Sequence, residues 1–248
     1  MRYAGQRVVV VGGGAGIGRA VARGFAREGA EVGVVGRTRA TLEETIADPA
    51  FGRAAVAVGD VTDAAGIAAA IAAVAEQLGG LDVAVNTAAT FVNGTAADAD
   101  PDAVAQLFET NVLGTWLAMR AEVPLLRDAG GGVIVNFSSN VGGHRVQPGL
   151  GAYGASKAAV SAMTRSAALD HIGEGVRICA VSPGPSDTTM SIRPGESTRD
   201  RDARVAQQNP AGRIARLDEI TEATLYLASD AAAYCVGTDL RIDGGAAA

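Results

Sequence analysis

Short apolar runs alternate along the whole chain with longer, alanine-rich stretches in which apolar residues recur at helical spacing. Arg7–Val11, Glu31–Val35, Ala54–Val58, Leu81–Asn86, Gly132–Phe137, Val176–Val181 and Asp239–Ile242 read as strands. Ile17–Glu28, Arg39–Ala47, Ala64–Leu78, Pro101–Arg127, Ser156–Ile172 and Asp218–Ala228 read as helices. A strand that is apolar on both faces must be covered on both, and a helix after each strand supplies the cover while returning the chain to start a parallel neighbour. The pattern therefore predicts an α/β, doubly wound parallel sheet of about seven strands with helices on both faces, folded as a single domain over residues 1–248. Residues 188–209 break the rhythm with Pro194, Gly195 and scattered charges, and are expected to form a mobile lid beside a site.

Composition narrows the partners. The chain has 248 residues, enough for one large buried core, and its 33 glycines and 4% aromatic content suit close packing of helices on a sheet. A net charge of −6 with no Lys/Arg stripe argues against nucleic acid or an anionic membrane as a partner. Met1–Arg7 leads directly into the first strand without the pattern of a signal peptide, and no apolar run is long enough to span a bilayer, so a cytoplasmic protein is expected. Cys179 and Cys235 lie in apolar segments without metal-ligand spacing and read as thiols without chemistry; no metal site is expected.

Two motifs carry the candidate chemistry. In Gly12-x-x-x-Gly16-x-Gly18, placed between the first strand and the first helix, Gly12 permits a tight turn, Gly16 lets the backbone approach a phosphate, and Gly18 lets the helix pack on the sheet. Amides at that helix N-terminus would face the pyrophosphate of a dinucleotide. An acidic residue at the end of the second strand would bind a ribose 2′-hydroxyl and repel a 2′-phosphate; here Gly36 and Arg37 occupy that position, with Thr38 and Arg39 following. The guanidinium favours NADP(H), with NAD(H) possible if Arg37 lies elsewhere. Far downstream, Tyr153-x-x-x-Lys157 places a phenol and an ammonium on one helical face. A free phenol titrates near ~10, and an adjacent ammonium favours the phenolate, so Tyr153 is the candidate acid/base.

These motifs, with Ser138-Ser139 ahead of Tyr153, resemble the short-chain dehydrogenase/reductase family over essentially the whole chain. Val11 stands where the family usually has Thr, and Asn86-Thr87-Ala88-Ala89 where it usually has Asn-Asn-Ala-Gly. The resemblance implies a Rossmann fold. It also implies that Gly12, Gly14, Gly16, Ile17 and Gly18 hold the dinucleotide, that Asp60-Val61 meets the adenine and that Asn86 and Ala88 back the cofactor. Pro183-Gly184-Pro185 and Thr188 would close over the nicotinamide. The implied catalytic set is Asn111, Ser139, Tyr153 and Lys157. In it Ser139 bonds the substrate oxygen, Lys157 holds the ribose hydroxyls and Asn111 anchors a water linking Lys157 to solvent. The implied reaction is hydride transfer between NADP(H) and a ketone or secondary alcohol, by a homotetramer that uses the helices of 101–127 and 156–172 and the last strand.

The separation from Ser139 to Tyr153 is one residue longer than is usual in the family, with residues 142–146 the place of the insertion. Ser139 rather than Ser138 is chosen because Ser139-x-x-Gly142 matches the family motif. His144 in this loop reads as passive, and Trp116 and Met119 as interface or core. Arg193, Arg199, Arg201 and Arg204 alternate with Glu196, Asp200 and Asp202, which reads as a solvated, self-compensated face. The alternative function is a catalytically silent dinucleotide-binding redox sensor, which loss of Tyr153 or Lys157 would have favoured; both are present.

Overall fold

The structure, a computed structural model, describes all 248 residues. Its centre is a seven-stranded parallel sheet in the order β3-β2-β1-β4-β5-β6-β7. The strands are β1 (Arg7–Val11), β2 (Glu31–Gly36), β3 (Ala54–Val58), β4 (Val83–Asn86), β5 (Gly132–Phe137), β6 (Val176–Pro183) and β7 (Asp239–Ile242). The helices are α1 (Gly16–Arg27), α2 (Arg39–Ile46), α3 (Ala64–Leu78), α4 (Pro101–Phe108), α5 (Gly114–Asp128), the kinked turn α6 (Asn140–Gly143), α7 (Gly151–His171), α8 (Thr198–Gln208) and α9 (Leu217–Ala228).

Alternation within β1 shows why both faces are apolar. Val9 and Val11 pack on Ile67, Val74, Leu117 and Leu126 of α3 and α5. Val8 and Val10 pack on Phe25, Ile220 and Leu225 of α1 and α9. Each fully buried side chain of this kind contributes on the order of 2 kcal/mol, so the two cores hold the sheet between its helix layers. The strand order reverses between β1 and β4, and there the crevice at the carboxyl ends of the strands opens. No helix is long and apolar enough to cross a membrane.

Three expectations are corrected. Residues 101–127 are not one regular helix: a π-helical stretch at Glu109–Leu113 joins α4 to α5 and turns Asn111 fully inward, because the wider turn rotates its side chain off the surface. Helix α7 begins at Gly151, five residues before Ser156, after a turn at Gly149 with φ of +75°, and so carries Tyr153 within it. The segment 188–209, read as a break in the rhythm, contains the helix α8 and pairs its own charges. Ser197 caps α8 by accepting from the Asp200 amide, Arg204 pairs with Glu196 at 2.7 Å, and Arg201 pairs with Asp187 and Asp202, each at 2.8 Å. The charges are self-compensated as read, but Arg201 is only 2% exposed rather than solvated.

Candidate active site

The glycine turn is built by close approach. Gly12 has φ of +86°, and a Cβ on it would lie 2.6 Å from the Ala88 amide nitrogen; a Cβ on Gly18 would lie 2.2 Å from the Gly12 carbonyl oxygen. Neither position admits a side chain, so β1, α1 and the segment after β4 meet backbone to backbone. A Cβ on Gly16 would stand 3.4 Å from Cγ2 of Thr188, which puts the turn and the segment after β6 on facing sides of one crevice. Gly14 offers its carbonyl to Arg19, and Ile17 sits half-buried in the first turn of α1. Pro183 ends β6, and Gly184 packs on the Asp243 backbone. This cradle, closed to a Cβ at Gly12 and Gly18 and opening at an α-helix N-terminus, fits a dinucleotide pyrophosphate.

At the adenine end Arg37 is exposed and forms no ion pair. Asp60 caps its own turn, accepting from the Thr62 amide at 3.0 Å and its hydroxyl at 2.9 Å. The Thr62 amide, then its hydroxyl and the nearby Arg37 charge, hold the Asp60 carboxyl below the usual carboxylate range. Val61 is buried against Gly114. Ala88 lies against Gly12, whereas the Asn86 side chain points into the core and acts there as a strut. Its Nδ2 donates to Glu122 at 2.9 Å and to Asn136 at 3.0 Å. Thr87 donates to the Val11 carbonyl at 2.8 Å, tying the segment after β4 to the glycine turn.

The other end of the crevice gathers Ser139, Tyr153 and Lys157. One turn of α7 separates Tyr153 from Lys157, and the Tyr153 ring meets Phe91 edge-on at 4.9 Å between centroids. Burial raises the Tyr153 phenol above its ordinary value, and the hydrogen-bonding Ser139 hydroxyl opposes that rise. Lys157 is 4% exposed, its Nζ donates to the Phe137 carbonyl at 2.9 Å, and burial pushes its pKa down to about 8. The expected lowering of the phenol by Lys157 is therefore absent from this arrangement. Burial disfavours the charged form of both groups, and the ammonium is engaged by Phe137.

Ser138 points the other way, donating to the Lys157 carbonyl at 2.9 Å and meeting Ser161 at 2.7 Å. Ser139 caps the turn α6 and alone of the pair faces Tyr153. Asn111 accepts from the Thr90 amide at 2.8 Å and donates to the Thr90 carbonyl at 3.0 Å and to Ser156 at 3.1 Å. It thus ties the segment after β4 to the helix that carries Tyr153.

Sequence reasoning missed two polar groups around this site. Asp239, at the start of β7, accepts from Ser161 and Ser182, and the half-buried His144 places its Nε2 3.4 Å from the same carboxylate without a hydrogen bond to it. Glu122 is fully buried on α5, and its signal was a lone acid within the apolar face that also holds Met119, Val123 and Leu126. Met119 is core, and Trp116 is half-exposed. Burial raises the Glu122 carboxyl to about 7, with Asn86 pulling it back. An acid raised in the native state binds more protons folded than unfolded, so stability is lost as pH climbs from about 4.5 to about 7, by on the order of 3 kcal/mol in all. Glu122→Gln is expected to melt higher than the parent at pH 8 and equally at pH 4; equal melting temperatures at pH 8 would contradict this.

Residues 12–247 match the family model described as enoyl-(acyl carrier protein) reductase. The 2-(S)-hydroxypropyl-CoM dehydrogenase 3 of Xanthobacter autotrophicus is 37% identical, covering 98% of this chain and 97% of its own. The cis-4-hydroxycyclohexanecarboxylate dehydrogenase of Sinomonas cyclohexanicum is 36% identical, with 98% and 97% covered. Among solved structures, a variant of the actinorhodin polyketide ketoreductase with NADPH superposes with a TM-score of 0.92 at 30% identity, covering 98% of this chain and 97% of that one. With its glycine cradle, parallel sheet and Tyr153–Lys157 helix, the chain belongs to the short-chain dehydrogenase/reductase family and is an NAD(P)-dependent oxidoreductase.

Proposed function

We propose that the chain interconverts a secondary alcohol and a ketone with NADP(H), Tyr153 exchanging the proton on the substrate oxygen. The observation that carries this reading is the convergence of Ser139, Tyr153 and Lys157 at the crevice bounded by the glycine turn and Thr188. The bound nicotinamide would supply or accept the hydride. In this reading Ser139 donates to the substrate oxygen, Lys157 turns from the Phe137 carbonyl to the ribose hydroxyls of the bound cofactor and there favours the Tyr153 phenolate, and Asn111 holds the water that joins Lys157 to solvent. Phe91, 41% exposed beside Tyr153, forms an apolar wall against which the carbon frame of the substrate rests. Two relatives, the 2-(S)-hydroxypropyl-CoM dehydrogenase and the cis-4-hydroxycyclohexanecarboxylate dehydrogenase, support an alcohol substrate. A panel of secondary alcohols and ketones followed at the nicotinamide absorbance tests the reading; no turnover across the panel with either cofactor would end it and return attention to a silent sensor.

The unpaired Arg37 supports NADP(H), as does the NADPH named with the ketoreductase neighbour. Arg37→Ala is expected to lower kcat/KM with NADPH by about 10- to 100-fold, the worth of one charge-assisted contact, and to leave NADH little changed. A clear NADH advantage in the parent protein would reverse the assignment. A homotetramer built on α4, α5 and α7 is supported by exposed Leu113, Trp116, Leu169 and Ile172 on those elements and their junctions. Light scattering that finds a monomer at assay concentration would refute it.

A further inference from the structure

A cavity of about 370 Å³ lies between the loop after β5, the Pro183-Gly184-Pro185 segment, the end of α8 and the last residues of the chain. Arg145 is the one charged side chain on its wall, beside Gln147, Gln208 and Asn209, and no acidic side chain lines it. The Arg145 guanidinium is held by neutral acceptors, donating from Nη1 to the Ala246 carbonyl at 3.1 Å and from Nη2 to Gln147 Oε1 at 3.2 Å. The neighbouring lid arginines, by contrast, are neutralised: Arg201 by Asp187 and Asp202, Arg204 by Glu196. In a chain of net charge −6, a fixed and uncompensated positive group on a concave wall is a site for an anion. A guanidinium has five N–H donors, of which two are engaged here, and the Gln147 amide adds another.

The cavity adjoins segments that lead to the reaction site, through Pro185 and the loop that carries Arg145. The Arg145 amide donates to the Asn140 carbonyl at 2.9 Å and its carbonyl accepts from Gly142 at 2.8 Å, which folds the loop back onto the residue after Ser139. Pro185 belongs to the segment that leads to Thr188 and the glycine turn. Arg145 falls within residues 142–146, where the chain is one residue longer than the usual family spacing. The loop that follows Ser139 thus carries the unpaired cation at its far end.

We propose that Arg145, assisted by Gln147, anchors a carboxylate on the substrate, so that the substrate class is a secondary alcohol or ketone bearing a carboxylate several bonds from the carbon that reacts. This rests on the hydride-transfer reading above. The reaction remains a balanced two-electron oxidation: the alcohol loses a hydride to the nicotinamide and its hydroxyl proton to Tyr153, and the carboxylate is unchanged.

The test uses the full chain and Arg145→Gln, with 3-hydroxybutanoate, 5-hydroxyhexanoate, 7-hydroxyoctanoate and their methyl esters as substrates. Arg145→Gln is expected to lower kcat/KM for the best carboxylate by about 30-fold, mostly through KM, and to leave its ester unchanged, with Arg145→Lys intermediate. Equal loss on acid and ester, or none on the acid, overturns the proposal. A second measurement is independent of turnover: calorimetric binding of hexanoate and octanoate, weakened at least tenfold by Arg145→Gln. Absence of binding to the parent chain, or binding indifferent to Arg145, overturns it as well. Arg145-dependent binding without turnover of any alcohol would keep the anion site and reject the hydride-transfer reading.

Discussion

Tyr153→Phe is expected to lower kcat by about 10²- to 10⁴-fold while leaving cofactor affinity within a few-fold of the parent. The ring is held by apolar contacts, edge-on to Phe91 at 4.9 Å, and phenylalanine keeps all of them. Only the exchangeable proton is removed, so the loss falls on the step in which the substrate oxygen gains or gives up a proton. Burial already raises the phenol, with Ser139 as the group that opposes the rise. Ser139→Ala is accordingly expected to shift the rising limb of the oxidation pH profile to higher pH as well as slowing the reaction, because phenolate then forms with less help. Turnover of Tyr153→Phe near the parent rate, with cofactor bound, would remove Tyr153 from the mechanism.

Much of the fold was legible because the two periodicities are clean. Strands apolar on both faces announce a parallel sheet, and the pattern places all seven within two residues of their ends. The errors have local causes. The π-helical stretch at Glu109–Leu113 differs from an α-helix by one residue per turn, which leaves no mark in a pattern that reads apolar spacing alone. The pattern starts helix α7 late because Gly151 and Gly154 weaken its propensity; packing of α7 on the turn α6 and β6 overrides it, and Gly154 lies against Gly142. The site was legible in part. Glycine spacing announced the cradle, and the spacing of Tyr153 and Lys157 announced a shared face. The directions of Ser138, Asn86 and the Lys157 ammonium depend on partners distant in sequence, among them Ser161, Glu122 and the Phe137 carbonyl. No local pattern encodes such contacts.

Lys157→Met is expected to move stability and function in opposite directions. In the native chain the ammonium is buried with one neutral acceptor, the Phe137 carbonyl, and its pKa is pushed down from 10.5 to about 8. A base lowered in this way binds fewer protons folded than unfolded between about 8 and 10.5, so stability rises with pH through that window. Below about 8 the cost of the buried charge is present in full, on the order of 3 kcal/mol. Methionine keeps the length and apolar body of the side chain and removes the charge, so the variant should be more stable than the parent by about 1–3 kcal/mol at pH 7, with that gain vanishing above pH ~10.5. On the proposed mechanism the same change also removes the donor for the ribose hydroxyls and the cation that, once released from the Phe137 carbonyl, favours the Tyr153 phenolate. Cofactor affinity should therefore fall by at least tenfold and kcat by about 10²-fold or more. Denaturant melts at pH 7 and pH 10, with and without NADPH, separate the two effects: NADPH should stabilise the parent and barely stabilise the variant. A variant less stable than the parent at pH 7 would show that the bond to Phe137 outweighs the cost of burial. A loss confined to cofactor affinity, with kcat intact at saturation, would mean that Lys157 binds the ribose without acting on Tyr153.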